Sequence, residues 1–409
     1  MTTHKHILYH TARWTAALSA AVVVAACSAD STPQAVVPGT TDADGRIPIV
    51  VNAAVGGAAT RSLSANDPSV VGNTDAFITE QGLNKVFTSG QKVDLFIYED
   101  GGGTDYTGQL QYLKTGDPAG DLAAGHGTFT FYSDADCTSA VKRYWPSSGK
   151  ALNFYAYYPA GFMAEAGVTS VTSSSAETSA ITIPYDQGNA NVSKAHDLLF
   201  GAPDYRPINS TATPNPVPYP KNSTDGTSAV NLNFKHCLSK IVIRIKGDGA
   251  TLLDGDEDNG HDLDGTDRFN TATITLGPDL QHQYTLKPAT GEATGVAPPT
   301  GETGTYNVKN SGVEAATDNY QSYYIIVPPG QTLDGKTITL KLGPDKHLTP
   351  GPTETFTIPK IGGATYSTEA GKVYTYSLVV SLHMIMSVTA TIKDWETVTT
   401  PNDIPTVIE

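Results

Sequence analysis

The chain is poor in the features around which most soluble enzymes and nucleic-acid binders are built. Only 3 of its 409 residues are cysteine and only 16% are charged. Three cysteines do not make a disulfide scaffold. Cys137 and Cys237 can pair in an oxidising compartment, but Cys237, followed by Leu238 and Ile241 in an apolar run, reads first as a small buried hydrophobe. No cluster of Lys or Arg offsets the formal charge of −15, so phosphate backbones are repelled and nucleic acid is not expected as a partner. Beyond residue 27 the histidines (His126, His196, His236, His261, His282, His347 and His383) never stand at ligand spacing, which leaves no HExxH and no paired zinc motif. No serine sits in a GxSxG context, and Cys137 has no histidine nearby in sequence to lower its pKa. No stretch of the mature chain keeps a helical apolar period. These absences point away from an enzyme, and no cofactor is expected.

What is present starts at the N-terminus. Lys5 and Arg13, with no acid among them, precede the apolar run Trp14 to Ala26, which is too short to cross a bilayer comfortably. The run ends Val24-Ala25-Ala26-Cys27: an aliphatic residue, two small ones, then cysteine. This resembles the lipobox of bacterial lipoproteins, in which the cysteine sulfur receives a diacylglyceryl group and becomes the new N-terminus. The alternative is an ordinary secretory signal that happens to contain a cysteine. Either reading makes residues 1–27 a signal and exports the protein; losing Lys5 and Arg13 takes the charge from −15 to −17. Residues 28–46, polar and without period, read as a flexible tether.

Order is expected from Ile47. In the segment 47–55 the odd positions Ile47, Ile49, Val51, Ala53 and Val55 are apolar, the alternation of a strand with one buried face. Pro48 near its start argues for an edge position. The strand gives way at Gly56-Gly57 to a loop carrying Arg61 and Ser62. Short runs around 93–98, 128–132, 152–158 and 197–201 continue a β rhythm. Residues 203–228, rich in proline and polar side chains, read as an interdomain linker or a long surface loop. Beyond them, runs around 230–234, 241–245, 272–276, 323–327, 337–342, 373–380 and 387–392 repeat the style. Many short strands without intervening helices indicate an all-β chain of two antiparallel β-sandwich domains, 47–222 and 223–409.

One segment hints at a ligand. Asp254, Asp256 and Asp258 alternate as in an EF-hand loop, but Asn259 stands where the loop needs glycine and Gly265 where it needs a bidentate glutamate. A solvated acidic hairpin loop is the plainer reading and a weak Ca²⁺ site the other.

Several motifs in order are similar to the fimbrillin family, the lipoprotein-derived subunits of type V pili. They are Tyr144-Trp145-Pro146-Ser147 leading into Leu152-Asn153-Phe154-Tyr155-Ala156-Tyr157-Tyr158-Pro159, then His196-Asp197-Leu198-Leu199-Phe200-Gly201, then Leu232-Asn233-Phe234-Lys235-His236-Cys237-Leu238. A terminal pattern follows in Ala370-Gly371-Lys372-Val373-Tyr374 and Ile392-Lys393-Asp394-Trp395. The resemblance implies two tandem transthyretin-like sandwiches and an assembly route. A subunit held at the outer membrane by its lipid would be cut by a trypsin-like protease after an arginine, lose its first strand, and receive the terminal strand of another subunit. Here the implied parts are lipidated Cys27, the displaced strand 47–55, and cleavage between Arg61 and Ser62, with Arg46 as the rival. The donor would be the tail 397–409 with Val398, Ile404, Val407 and Ile408. The implied product is a cell-surface fimbrium of like or unlike subunits that supports adhesion. A lipoprotein that stays anchored and binds glycan or protein through its tyrosine-rich strands is the alternative.

Overall fold

The computed structural model describes residues 42–55, 92–115, 127–147, 149–187, 197–203, 230–247, 272–297, 304–313, 321–343, 353–358, 367–380, 385–394 and 406–407. In chain order the first strands are β1 (Val51–Val55), β2 (Lys92–Glu99), β3 (Thr107–Thr115), β4 (Gly127–Tyr132), β5 (Ala140–Val141) and β6 (Leu152–Tyr158). A one-turn helix, α1 (Phe162–Glu165), is followed by β7 (Ile181–Thr182), β8 (Leu199–Pro203) and β9 (Val230–His236). Then come β10 (Ser239–Gly247), β11 (Thr273–Gly277), β12 (Gln283–Lys287), β13 (Glu292–Val296), β14 (Tyr306–Asn307) and β15 (Lys309–Val313). The last are β16 (Gln321–Val327), β17 (Thr337–Lys341), β18 (Thr353–Thr357), β19 (Lys372–Val380), β20 (Ile385–Asp394) and β21 (Thr406–Val407). The all-β expectation holds, in β-sandwich form.

The first sheet has the order β1-β9-β8-β6-β2-β3-β4-β5, and β1 also pairs with β4, so the sheet closes on itself. The second has the order β15-β16-β10-β19-β20-β21, and a four-stranded sheet, β14-β11-β17-β18, packs on it. Most pairs are antiparallel as expected, but β1–β9 and β10–β19 are parallel.

Period-2 alternation explains which side chain goes where. Along β6, Leu152, Phe154 and Ala156 point into the closed first sheet, while Tyr155 and Tyr157 point out of it. That outer face is itself covered: Phe96, Tyr155, Tyr157 and Phe200 share an apolar layer with Tyr324 and Ile326 of β16 and Tyr284 and Leu286 of β12. Strand β16 is accordingly buried on both faces, with Tyr323, Ile325 and Val327 turned into the core between the second and four-stranded sheets. Gln187 completes its polar pairing. Its amide nitrogen donates to the Ile326 carbonyl at 2.8 Å and its amide oxygen accepts the Ile326 N–H at 2.9 Å, past the end of β15. The β12–β13 hairpin approaches so closely that a Cβ at Gly291 (φ +67°) would stand 2.3 Å from Phe200.

Strand β9 belongs to the first sheet and pairs with β8 from Leu199↔His236 to Pro203↔Leu232, so the chain between Pro203 and Val230 connects neighbouring strands of one sheet. Passage to the second sheet falls to Cys237 and Leu238, both fully buried and tied by Cys237 N–H to Leu198 O (2.8 Å) and Gly371 N–H to Leu238 O (2.8 Å). Both described cysteines are unpaired, so no Cys137–Cys237 bridge forms.

Candidate functional site

The geometry with the most evident task is at β1. It runs parallel to β9, with Val51–Val55 opposite Val230–Phe234, and antiparallel to β4, with Val51, Asn52 and Ala53 opposite Phe129, Thr128 and Gly127. The strand is therefore enclosed, not an edge as Pro48 had implied. Pro48 precedes the doubly paired stretch, where only an isolated bridge to Tyr144 is made, so its missing N–H interrupts no ladder. Ile49 and Val51 are buried and Ile47 partly so, in one cluster with Phe129, Trp145, Val230 and Leu232. Ala53 and Val55 continue the strand, paired with Leu232 and Phe234. If β1 left, two unpaired strand edges would flank an apolar trough. Such a trough accepts one extended segment and little else.

A side-chain clasp fixes the chain just ahead of the strand. Asp42 and Arg46 close a turn, Asp42 N–H donating to Arg46 O at 2.9 Å and Arg46 N–H donating to Asp42 Oδ1 at 3.2 Å. The Arg46 guanidinium carbon lies 3.9 Å from the centre of the Tyr144 ring. The Tyr144 hydroxyl bonds the Asp42 carboxylate, which lowers the acid's pKa and raises the phenol's. Tyr106 holds Tyr144 in turn: its hydroxyl donates to Tyr144 O at 2.5 Å and accepts Tyr144 N–H at 3.1 Å. Ile49 N–H donates to Arg143 O (2.8 Å) and Trp145 N–H to Ile47 O (2.9 Å), joining the clasp to β1.

At the other end of the chain, β21 pairs Val407 with Thr389 and Thr406 with Ala390, lying beside β20 as the last strand of the second sheet. Cys27, Arg61, Ser62, Val398, Ile404 and Ile408 lie outside the described residues, as do Asp254, Asp256 and Asp258. Among the described residues no group of three or more His, Cys, Asp or Glu is placed to hold a metal ion. Burial pushes the Cys237 thiol up to about 12 and raises Cys137 as well, the opposite of an activated nucleophile.

Two buried polar devices were not visible as motifs. His236 Nδ1 meets Asp197 Oδ1 at 2.6 Å, joining two of the segments that carry the family resemblance, and both side chains are buried. The partners lie 39 residues apart, so only the β8–β9 pairing could reveal them. Asp94 in β2 is fully buried and accepts the N–H groups of Gly161 and Met163 at the start of α1. Desolvation dominates there and lifts its carboxyl from 3.8 to about 6. Between those values the native state holds a proton the unfolded chain has lost, so this group's contribution to stability falls as pH rises through 3.8–6. The penalty is complete above about 6, at most about 3 kcal/mol. Asp94→Asn keeps an acceptor for Gly161 and carries no charge. It is expected to be more stable than the parent at pH 7, by about 1–2 kcal/mol, with the gain gone by pH 4. Urea unfolding of both proteins across that range measures this, and a difference independent of pH would disprove it.

All-β sheets sharing apolar layers, with the first strand inserted between two others, define a β-sandwich protein. More closely, the chain belongs to the fimbrillin-like family, which it matches over residues 74–395. That family is one of structural fimbrial subunits, and the matched region begins beyond β1. In fold the chain is similar to a candidate cell adhesion protein of Bacteroides uniformis, with 17% identity and a TM-score of 0.50 over 87% of this chain and 100% of that one. It is also similar to a candidate cell adhesion protein of Bacteroides ovatus, with 16% identity and a TM-score of 0.52 over 87% of this chain and 99% of that one. No curated protein sequence matches the chain.

Proposed function

We propose that this chain is a pilus subunit exported as a lipoprotein and assembled by protease-triggered strand exchange. The observation that carries the reading is the position of β1, paired with both β4 and β9 and closing the first sheet. In this reading Cys27 is lipidated and holds the precursor at the outer membrane. A trypsin-like protease cuts between Arg61 and Ser62, the segment with Ile47, Ile49, Val51, Ala53 and Val55 departs, and another subunit's tail fills the trough. The donor segment is 397–409, with Val398, Ile404, Val407 and Ile408 as its apolar residues. Its only described pairing here, two residues on β20, is short enough to be released at small cost. The first sheet would travel together with β12 and β16, because the apolar layer they share is buried. No residue is assigned a catalytic role, and the finished location is a cell-surface fimbrium that supports adhesion.

N-terminal sequencing of protein sheared from cells tests this. The expected mature chain begins at Ser62. Polymers whose chains still begin at lipidated Cys27 would overturn strand exchange, and monomers that remain anchored through Cys27 would favour the permanently attached surface binder.

A further inference from the structure

By area Arg46 is exposed, and by sequence it rivals Arg61 as a processing site. Its surroundings differ from those of an arginine a protease can use. A protease of this kind takes the arginine side chain into a pocket and binds the flanking backbone in extended form. At Arg46 each of those requirements is already engaged. The guanidinium is stacked on Tyr144. The carbonyl that would be attacked accepts the Asp42 N–H in a closed turn. The next residue's carbonyl accepts the Trp145 N–H, and Pro48 after it is buried against Tyr144 in a strand bridge. Tyr106 anchors the Tyr144 backbone from beneath, so the ring is in place without help from Arg46. Cutting there requires the turn, the stacking and the bridge to open together.

We propose that Tyr144 and Asp42 determine which arginine is processed: they clasp Arg46 and withhold it from the protease, so that a cut falls only beyond β1. The consequence is specific. A cut after Arg46 would release the lipid while leaving Ile47–Val55 in place, giving a detached subunit whose trough is still filled. The clasp thus couples release from the membrane to opening of the trough. It rests on the reading of β1 as a displaceable strand, but the clasp itself is testable without assembly.

The test is limited digestion of the purified full chain with an arginine-specific protease, reading new N-termini by mass spectrometry over time. The parent is expected to yield almost no N-terminus at Ile47. Tyr144→Leu is expected to raise the rate of cutting after Arg46 at least tenfold. Tyr144→Phe, which keeps the stacking ring and loses the bond to Asp42, should fall between the two, as should Asp42→Ala. Adding Arg46→Gln to Tyr144→Leu should remove the Ile47 terminus. Thermal midpoints within a few degrees of the parent identify the effect as local, and Tyr144→Phe serves as the readout should Tyr144→Leu not fold. Parent protein cut after Arg46 as fast as a free peptide spanning residues 42–55 would overturn the proposal. So would equal rates in the parent and Tyr144→Phe together with Asp42→Ala. A chain cut correctly after Arg61 that fails to polymerise would instead count against strand exchange and leave the clasp standing.

Discussion

Val51→Asp is expected to abolish cooperative folding of the precursor. Val51 is wholly inaccessible, sits opposite Phe129 on one side and Val230 on the other, and packs in the core of the closed first sheet. An aspartate there loses the apolar contact, about 1.5–3 kcal/mol. It also buries a carboxylate among the apolar side chains of that core, which costs several kcal/mol more or forces the group to protonate. Domains of ordinary stability have about 5–15 kcal/mol in all, so the sum removes most of it. The damage is not confined to one side chain. A strand pushed outward at Val51 unpairs β4 and β9 together, because β1 is the element that joins them. Val50→Thr, on the other face of the same segment and only half-buried, should stay within about 1 kcal/mol of the parent. Purified precursors compared by thermal and urea unfolding give the answer: a sharp transition for Val50→Thr and none for Val51→Asp. A cooperative Val51→Asp protein of near-parental stability would mean that β1 does not close the core.

Much of this was legible from alternation alone. The spacing of Ile47, Ile49 and Val51 puts them on one buried face, and that is the face they present to the core. The run Tyr323-Tyr324-Ile325-Ile326-Val327 was legible as a strand, and its lack of alternation has a physical reason, since β16 lies between two apolar layers. Pro48 misled because a proline reports only a missing donor, not whether the neighbouring residues are paired on one side or two. The partners of β1 are invisible locally: Phe129 and Val230 are far away in sequence, and nothing in Ile47–Val55 says that a parallel neighbour waits on one side. Composition had the same limit at residues 203–228. Proline and polar residues there carry no strand period, but nothing in them says that the flanking strands β8 and β9 hydrogen-bond to each other.

The side-chain chemistry was harder to read than the backbone. A lone tyrosine in Tyr144-Trp145-Pro146 resembles any strand aromatic until Arg46 is found on its ring. Asp94 stands in the run Val93-Asp94-Leu95-Phe96, where alternation predicts a solvated face; instead α1 covers it and supplies the N–H groups it accepts. His236 and Asp197 each look like isolated polar residues in their own segments. In each case the missing information is which strand lies next to which, and hydrogen bonds of this kind are the first thing that information reveals.

Arg61→Ala is expected to give a folded, lipidated monomer that forms no fibres. On the proposed strand exchange, the reason is a competition between two strands for one trough. While the chain is intact, β1 is tethered to the body it completes, and a tethered segment acts at an effective concentration of about millimolar. A donor tail arriving from another subunit at about micromolar concentration starts roughly a thousandfold behind, before its own ordering cost is counted. Burial of Ile49 and Val51, about 1.5–3 kcal/mol each, and pairing to two neighbours deepen the advantage of the resident strand. Under the proposed strand exchange, cleavage would change this by converting β1 into a separate chain that is diluted once it leaves, after which an incoming strand would have no tethered rival. The variant should therefore match the parent precursor in circular dichroism and thermal midpoint while its fibre yield falls to background. Supplying the cut nearby in sequence, by placing an arginine at a neighbouring position such as Ser64→Arg in the Arg61→Ala chain, should restore fibres. Normal fibres from Arg61→Ala alone would refute the assignment. Restoration by Ser64→Arg would show that what matters is a break between β1 and the rest of the body, not the identity of residue 61.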